Sequence, residues 1–222
     1  DQGIDIKRAY VTALEIAEHF PDDVGVVISM MLNRLTLQPG EAAFLGTGII
    51  HSHLRGMCLE VMASSDNVLR AGLTTKSLDP AGLVRCLSTG MSRLARVTPE
   101  PFGFSTDVFN PDVDEFALAV SQCSKGFRDR TPLPPAEQRI LVCTGGEVEL
   151  INAAGERLAM ARGDTVYAGP DDGALAIVGT GEVAQAYTPT SDTVIGELID
   201  LVPPYAERKL RRDRRGHGPS TR

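Results

Sequence analysis

Across residues 115–187 every apolar segment is short and is cut off by Gly, Asp or Asn before a helix can form. Seven such segments follow one another, at 116–121, 140–144, 148–151, 158–161, 165–168, 175–178 and 184–187. Turn signals stand between them: Gly145-Gly146, Asn152 to Gly155, Arg162-Gly163-Asp164 and Gly179 to Gly181. Strand-length runs punctuated this way specify an antiparallel β-fold rather than a helix bundle. The 22 Gly and 14 Pro among 222 residues agree.

The first third reads differently. Ile6, Ala9, Tyr10, Ala13, Leu14 and Ala17 recur at helical spacing and predict an amphipathic helix over 4–19, stopped by Pro21. Asp22-Asp23 then caps a second helix over 24–32. That helix lacks a polar face, so it is expected to be buried. Beyond it, Leu35 and Leu37 alternate, Pro39-Gly40-Glu41 marks a turn, and short strands are expected at 43–45, 49–54, 58–62 and 68–73. Residues 78–94 are patchily helical, and 98–114, with Pro99, Pro101 and Pro111, read as a connecting loop. One internal echo stands out: residues 37–45 align with 160–168, each a strand, a Gly-acid turn and a strand. The first copy leads to two histidines and the second to none, which suggests two related β-modules, one chemically equipped and one bare.

Charge is uneven. Residues 205–222 hold seven Lys/Arg against two carboxylates, giving +5, so a total of −7 leaves −12 on the rest. An acidic body does not attract polyanions as a whole, so any phosphate must be held by a local cluster of cations. The basic tail is polar and is expected to be disordered. No apolar run approaches the ~18 residues of a membrane span. Four cysteines at wide, irregular positions (58, 86, 123, 143) fit reduced thiols in a cytoplasmic protein rather than a disulfide scaffold or a metal knuckle.

Two constellations carry chemistry. His51-Ser52-His53 followed by Glu60 offers imidazoles and a carboxylate, donors suited to zinc. The same residues are equally consistent with histidines hydrogen-bonded in an interior. Arg70 and Lys76 flank Gly72 in a segment short of other charge, an arrangement suited to phosphate oxygens. Its plainer reading is a surface Arg paired with Asp66 and a solvated Lys.

A longer pattern bears on both. Pro39-Gly40-Glu41-Ala42, then His51, then the run from Leu59-Glu60-Val61-Met62-Ala63-Ser64-Ser65-Asp66-Asn67-Val68-Leu69-Arg70 through Ala71-Gly72-Leu73-Thr74 to Lys76 resembles type I mannose-6-phosphate isomerase (phosphomannose isomerase), a zinc enzyme of the cupin superfamily. Phe20-Pro21-x-Asp23-x-Gly25-Val26 and Asp114-Glu115-Phe116-Ala117-Leu118 extend the similarity, and more loosely it reaches about residue 188. The resemblance implies that His51 is a zinc ligand, that Arg70 is the catalytic arginine, and that Glu60 and Asp66 are active-site carboxylates. It implies Lys76 as the partner of the substrate phosphate. His53 stands where the family usually has Tyr and is read as a wall of the substrate pocket; Thr75 replaces the usual Pro. The family's remaining zinc ligands, a Gln-x-His pair and a Glu, lie in an N-terminal segment expected to be missing here.

The expected fold is therefore mainly β: a partial first cupin (jelly-roll) module, a complete C-terminal cupin, and short N-terminal helices. The expected boundaries are 1–33 for the end of a helical insert, 34–97 for the closing part of the catalytic cupin, 98–188 for the C-terminal cupin, and 189–222 for the tail. The implied function is zinc-dependent, with one ion, and converts mannose 6-phosphate to fructose 6-phosphate, with little activity from this chain alone. The rival is a non-catalytic cupin binding a sugar or sugar phosphate, its metal held by His51, His53 and Glu60. A sugar phosphate is the expected partner, with neither nucleic acid nor membrane.

Overall fold

A computed structural model describes residues 6–65, 68–90, 95–124 and 130–189. The chain divides into two compact units, residues 1–99 and 100–222.

In the first unit, α1 (Ile6–His19) forms where the apolar spacing predicts it, but its buried residues are Thr12, Ala13 and Ile16, while Tyr10 and Leu14 of the expected apolar face are exposed. The second helix, α2 (Val24–Ser29), is shorter than expected and is not buried as a whole: Val24 and Val27 are more than half exposed, and Gly25 is its buried residue. An apolar sequence does not by itself supply a neighbour to bury against. Asp23 caps it as expected, accepting from Gly25 N. Next comes β1 (Ala42–Phe44), and then α3 (Pro80–Cys86), capped by Asp79 with Pro80 in its first turn. Strand β2 (Ala95–Val97) pairs antiparallel with β1.

Residues 49–54, 58–62 and 68–73 are not strands. A strand exists only as part of a ladder, and no described segment lies alongside these residues to pair with them.

The second unit is one antiparallel sheet built on two long strands. Its elements are β3 (Glu100–Phe102), β4 (Thr106–Phe109), β5 (Ala117–Cys123), β6 (Thr131–Pro132), β7 (Arg139–Ile151), β8 (Arg157–Ala161), β9 (Thr165–Ala168) and β10 (Ala176–Tyr187). The order is β3-β4-β5-β10-β7-β8, with β6 also on β10 and β9 also on β7. The stretch expected to be a loop at 98–114 thus holds the β3–β4 hairpin. Pro101 is tolerated because β3 is an edge strand, where a missing N–H leaves no ladder gap.

Two glycine pairs expected as turns are not turns. Gly145-Gly146 lies within β7, and Gly179 to Gly181 within β10, opposite one another in the same ladder. Thr144 is an extra residue here, because Val183 pairs with Cys143 while Glu182 pairs with Gly145. The bulge shifts the inward face of β7 from 139, 141 and 143 to 148 and 150. Where the strands bend, no side chain fits. A Cβ on Gly146 would lie 2.1 Å from Thr180 O, and one on Gly181 would lie 2.4 Å from Gly145 O. Leu141, Cys143, Val148, Leu150, Met160, Ile177 and Val183, drawn from both sides of the bulge, form one buried core.

The internal echo is a shared turn. Glu41 N donates to Gln38 O, and Gln38 N donates to the Glu41 carboxylate; Asp164 N donates to Ala161 O, and Ala161 N donates to the Asp164 carboxylate. In both, the glycine before the acid (Gly40, Gly163) has positive φ. The tail, 190–222, lies outside the described residues.

Candidate functional site

The histidine segment is fixed from below by α3. A Cβ on Gly48 would lie 2.6 Å from Cys86 O, so only glycine lets the chain pass this close to the helix end. Ser88 N donates to Gly48 O, locking the contact. On the other side, Glu15 of α1 faces Arg34 and Arg55 at 4.0 and 3.5 Å, and Arg34 also donates to Thr12 Oγ1.

Within this frame His51 and His53 come together although they are not on a strand, their ring centroids 5.9 Å apart and tilted by 58°. His51 Nδ1 lies 3.0 Å from Ile49 O. A carbonyl only accepts, so Nδ1 is the donor here and Nε2 is the nitrogen left to face outward. Nε2 lies 3.8 Å from Glu60 Oε1, with both side chains nearly half exposed. Neither histidine is an interior residue.

An imidazole nitrogen facing a carboxylate at this distance is matched either by a proton on the nitrogen or by a cation between the two. An imidazole whose other nitrogen is tied to a backbone carbonyl is the usual form of a metal-binding histidine. The donor types suit zinc, but a zinc shell takes three or four protein donors. Among the described residues no group of three or more His, Cys, Asp or Glu is gathered to hold a metal. His51, His53 and Glu60 therefore do not make the three-ligand site that the binding-protein reading requires.

Arg70 is half-buried and Lys76 is exposed. Asp66, the other expected carboxylate, lies outside the described residues. Between the two cations the chain turns at Gly72 (φ +148) and Leu73 (φ +54). A branched residue in the left-handed region costs about 1–2 kcal/mol, so something must hold it there. Asp23 does: its Oδ2 accepts from Leu73 N at 3.0 Å while its Oδ1 accepts from Gly25 N at 2.7 Å. Lys76 N then donates to Thr74 Oγ1 at 3.2 Å. Sequence reasoning found Asp23 only as a helix cap; its bond to Leu73 spans 50 residues.

No helix among the described residues is long and apolar enough to cross a membrane.

No family model matches the chain. It is 34% identical over 173 residues to mannose-6-phosphate isomerase of Salmonella typhimurium, covering 78% of this chain and 43% of that protein. It is 37% identical over 163 residues to mannose-6-phosphate isomerase of Cryptococcus neoformans, covering 71% of this chain and 37% of the relative. The chain thus spans less than half the length of these relatives. Its fold is similar to the crystal structure of the Salmonella typhimurium enzyme bound to fructose 6-phosphate and zinc, at a TM-score of 0.69 and 34% identity, covering 86% of this chain and 47% of that one. The apo form of that enzyme matches with the same score. Sequence and fold agree: over the residues it shares with them, this chain is a homologue of the mannose-6-phosphate isomerases.

Proposed function

We propose that residues 51–76 form part of the sugar-phosphate site of a zinc-dependent mannose-6-phosphate isomerase, which interconverts mannose 6-phosphate and fructose 6-phosphate. The observation that carries the reading is His51 Nε2 facing the Glu60 carboxylate at 3.8 Å, in a segment whose relatives bear that name.

In this reaction the C2 proton is removed, negative charge builds on the enediolate oxygens, and the ketose forms when C1 and O1 each gain a proton and O2 loses its own. Arg70 supplies fixed positive charge where the enediolate charge develops. Lys76 holds the phosphate as a point charge. Glu60 and Asp66 are the carboxylates of the site, and His53 is a wall of the sugar pocket. One zinc ion would be held by His51 with Glu60 beside it; the chemistry it supplies when bound is polarisation of the sugar oxygens. Two donors are a partial shell, so these residues by themselves bind zinc weakly and turn over little substrate. Four cysteines free of disulfides support a reducing compartment, the cytoplasm.

Calorimetric titration with mannose 6-phosphate tests the reading. The chain binds it, and Arg70→Ala and Lys76→Ala each weaken binding by about tenfold or more, the loss of one charge-assisted contact. Unchanged binding in both variants would contradict the assignment.

A further inference from the structure

We propose that Asp23 is a positioning residue for the substrate phosphate, acting through the turn that separates Arg70 from Lys76; the proposal rests on the sugar-phosphate reading given above. Its carboxylate makes one bond within the start of α2 and one to Leu73, so the helix start and the turn share a single anchor. The packing leaves that anchor little freedom. A Cβ on Gly72 would lie 2.7 Å from Asp23 Oδ1 and 3.1 Å from Gly25 N, and a Cβ on Gly25 would lie 2.7 Å from Leu73 Cγ. Asp23, Gly25, Gly72 and Leu73 therefore form one close-fitted knot.

Two residues before the knot is Arg70, and three after it is Lys76, whose amide is set in its own turn by Thr74. The spacing of chain positions 70 and 76 is thus governed by a turn that Leu73 adopts against its own preference. A sugar phosphate met at its reacting end by Arg70 and at its phosphate by Lys76 needs that spacing held, because displacement by about 1 Å is enough to cost large factors in binding or rate.

Asp23→Ser separates the two duties. A serine still caps α2 but is too short to reach Leu73 N. The variant is expected to keep wild-type circular dichroism, to speed hydrogen exchange at the Leu73 amide, and to weaken mannose 6-phosphate and inorganic phosphate binding by about tenfold. The decisive comparison is in the Lys76→Ala background. There Asp23→Ser should change affinity by less than about twofold, because the contact it positions is already gone, whereas a general loosening of the fold would multiply the two losses. Full multiplication, or an Asp23→Ser variant that binds both ligands like the wild type, overturns the proposal. If instead Lys76→Ala and Arg70→Ala both bind mannose 6-phosphate normally, or the wild type does not bind it, the sugar-phosphate reading itself fails.

Discussion

Arg96 Nη1 lies 2.7 Å from Glu41 Oε1, joining the turn before β1 to the strand β2 that pairs with it. The second oxygen of the same carboxylate accepts from Gln38 N. The hydrogen bond from Arg96, then that from Gln38, hold the Glu41 carboxyl below its ordinary value.

A carboxyl whose pKa is lower in the folded chain contributes stability above its unfolded pKa and loses it as pH falls through the folded one. Order in the β1–β2 ribbon is therefore expected to decline on acidification below the ordinary glutamate range, and to be insensitive to pH near neutrality. A carbon-detected NMR titration of Glu41 should give a midpoint below that of a free glutamate, moving back up in Arg96→Gln. An ordinary midpoint in the wild type would contradict the pairing.

The bend in the long strands predicts a sharp contrast among glycines. Gly146→Ala combines positive φ with a Cβ against backbone at Thr180, and is expected to destabilise the second unit by about 3 kcal/mol. Gly155 also has positive φ but faces open space, so Gly155→Ala should cost about 1 kcal/mol. Urea unfolding of the two variants checks the order. Equal losses would mean that the ladder glycines are not a steric requirement.

Zinc binding distinguishes the two histidines. His51→Ala is expected to abolish what affinity there is, while His53→Ala leaves it within about twofold, since a wall residue donates nothing to the ion. Competition with a zinc-chelating dye measures both. Stoichiometric zinc that disappears in His53→Ala would instead support a non-catalytic protein using His51, His53 and Glu60.

The sequence made some of this legible and hid the rest for physical reasons. Helix α1 could be read because six apolar residues at helical spacing form a local signal, and the hairpin at Asn152 and the turn at Gly163 because their turn chemistry is local too. Strands at 49–54, 58–62 and 68–73 were misread because a short apolar run between turn residues does not say whether a partner is present to pair with it. The glycines of β7 and β10 were misread as turns because a close approach between strands and a chain reversal both demand glycine. His51 and Glu60 came from a resemblance spanning many residues, since a His-x-His pair alone is ambiguous. The tie from Asp23 to Leu73 crosses 50 residues, and no local pattern encodes it.

The central claim is that the phosphorylated sugar sits among residues 51–76 of the first unit. Amide-resolved NMR during titration with mannose 6-phosphate tests it most directly. The expected shifts fall at His51, His53, Glu60, Arg70, Leu73 and Lys76, while the β7–β10 ladder stays still. Shifts centred on residues 139–187 with none in 51–76 would contradict the account.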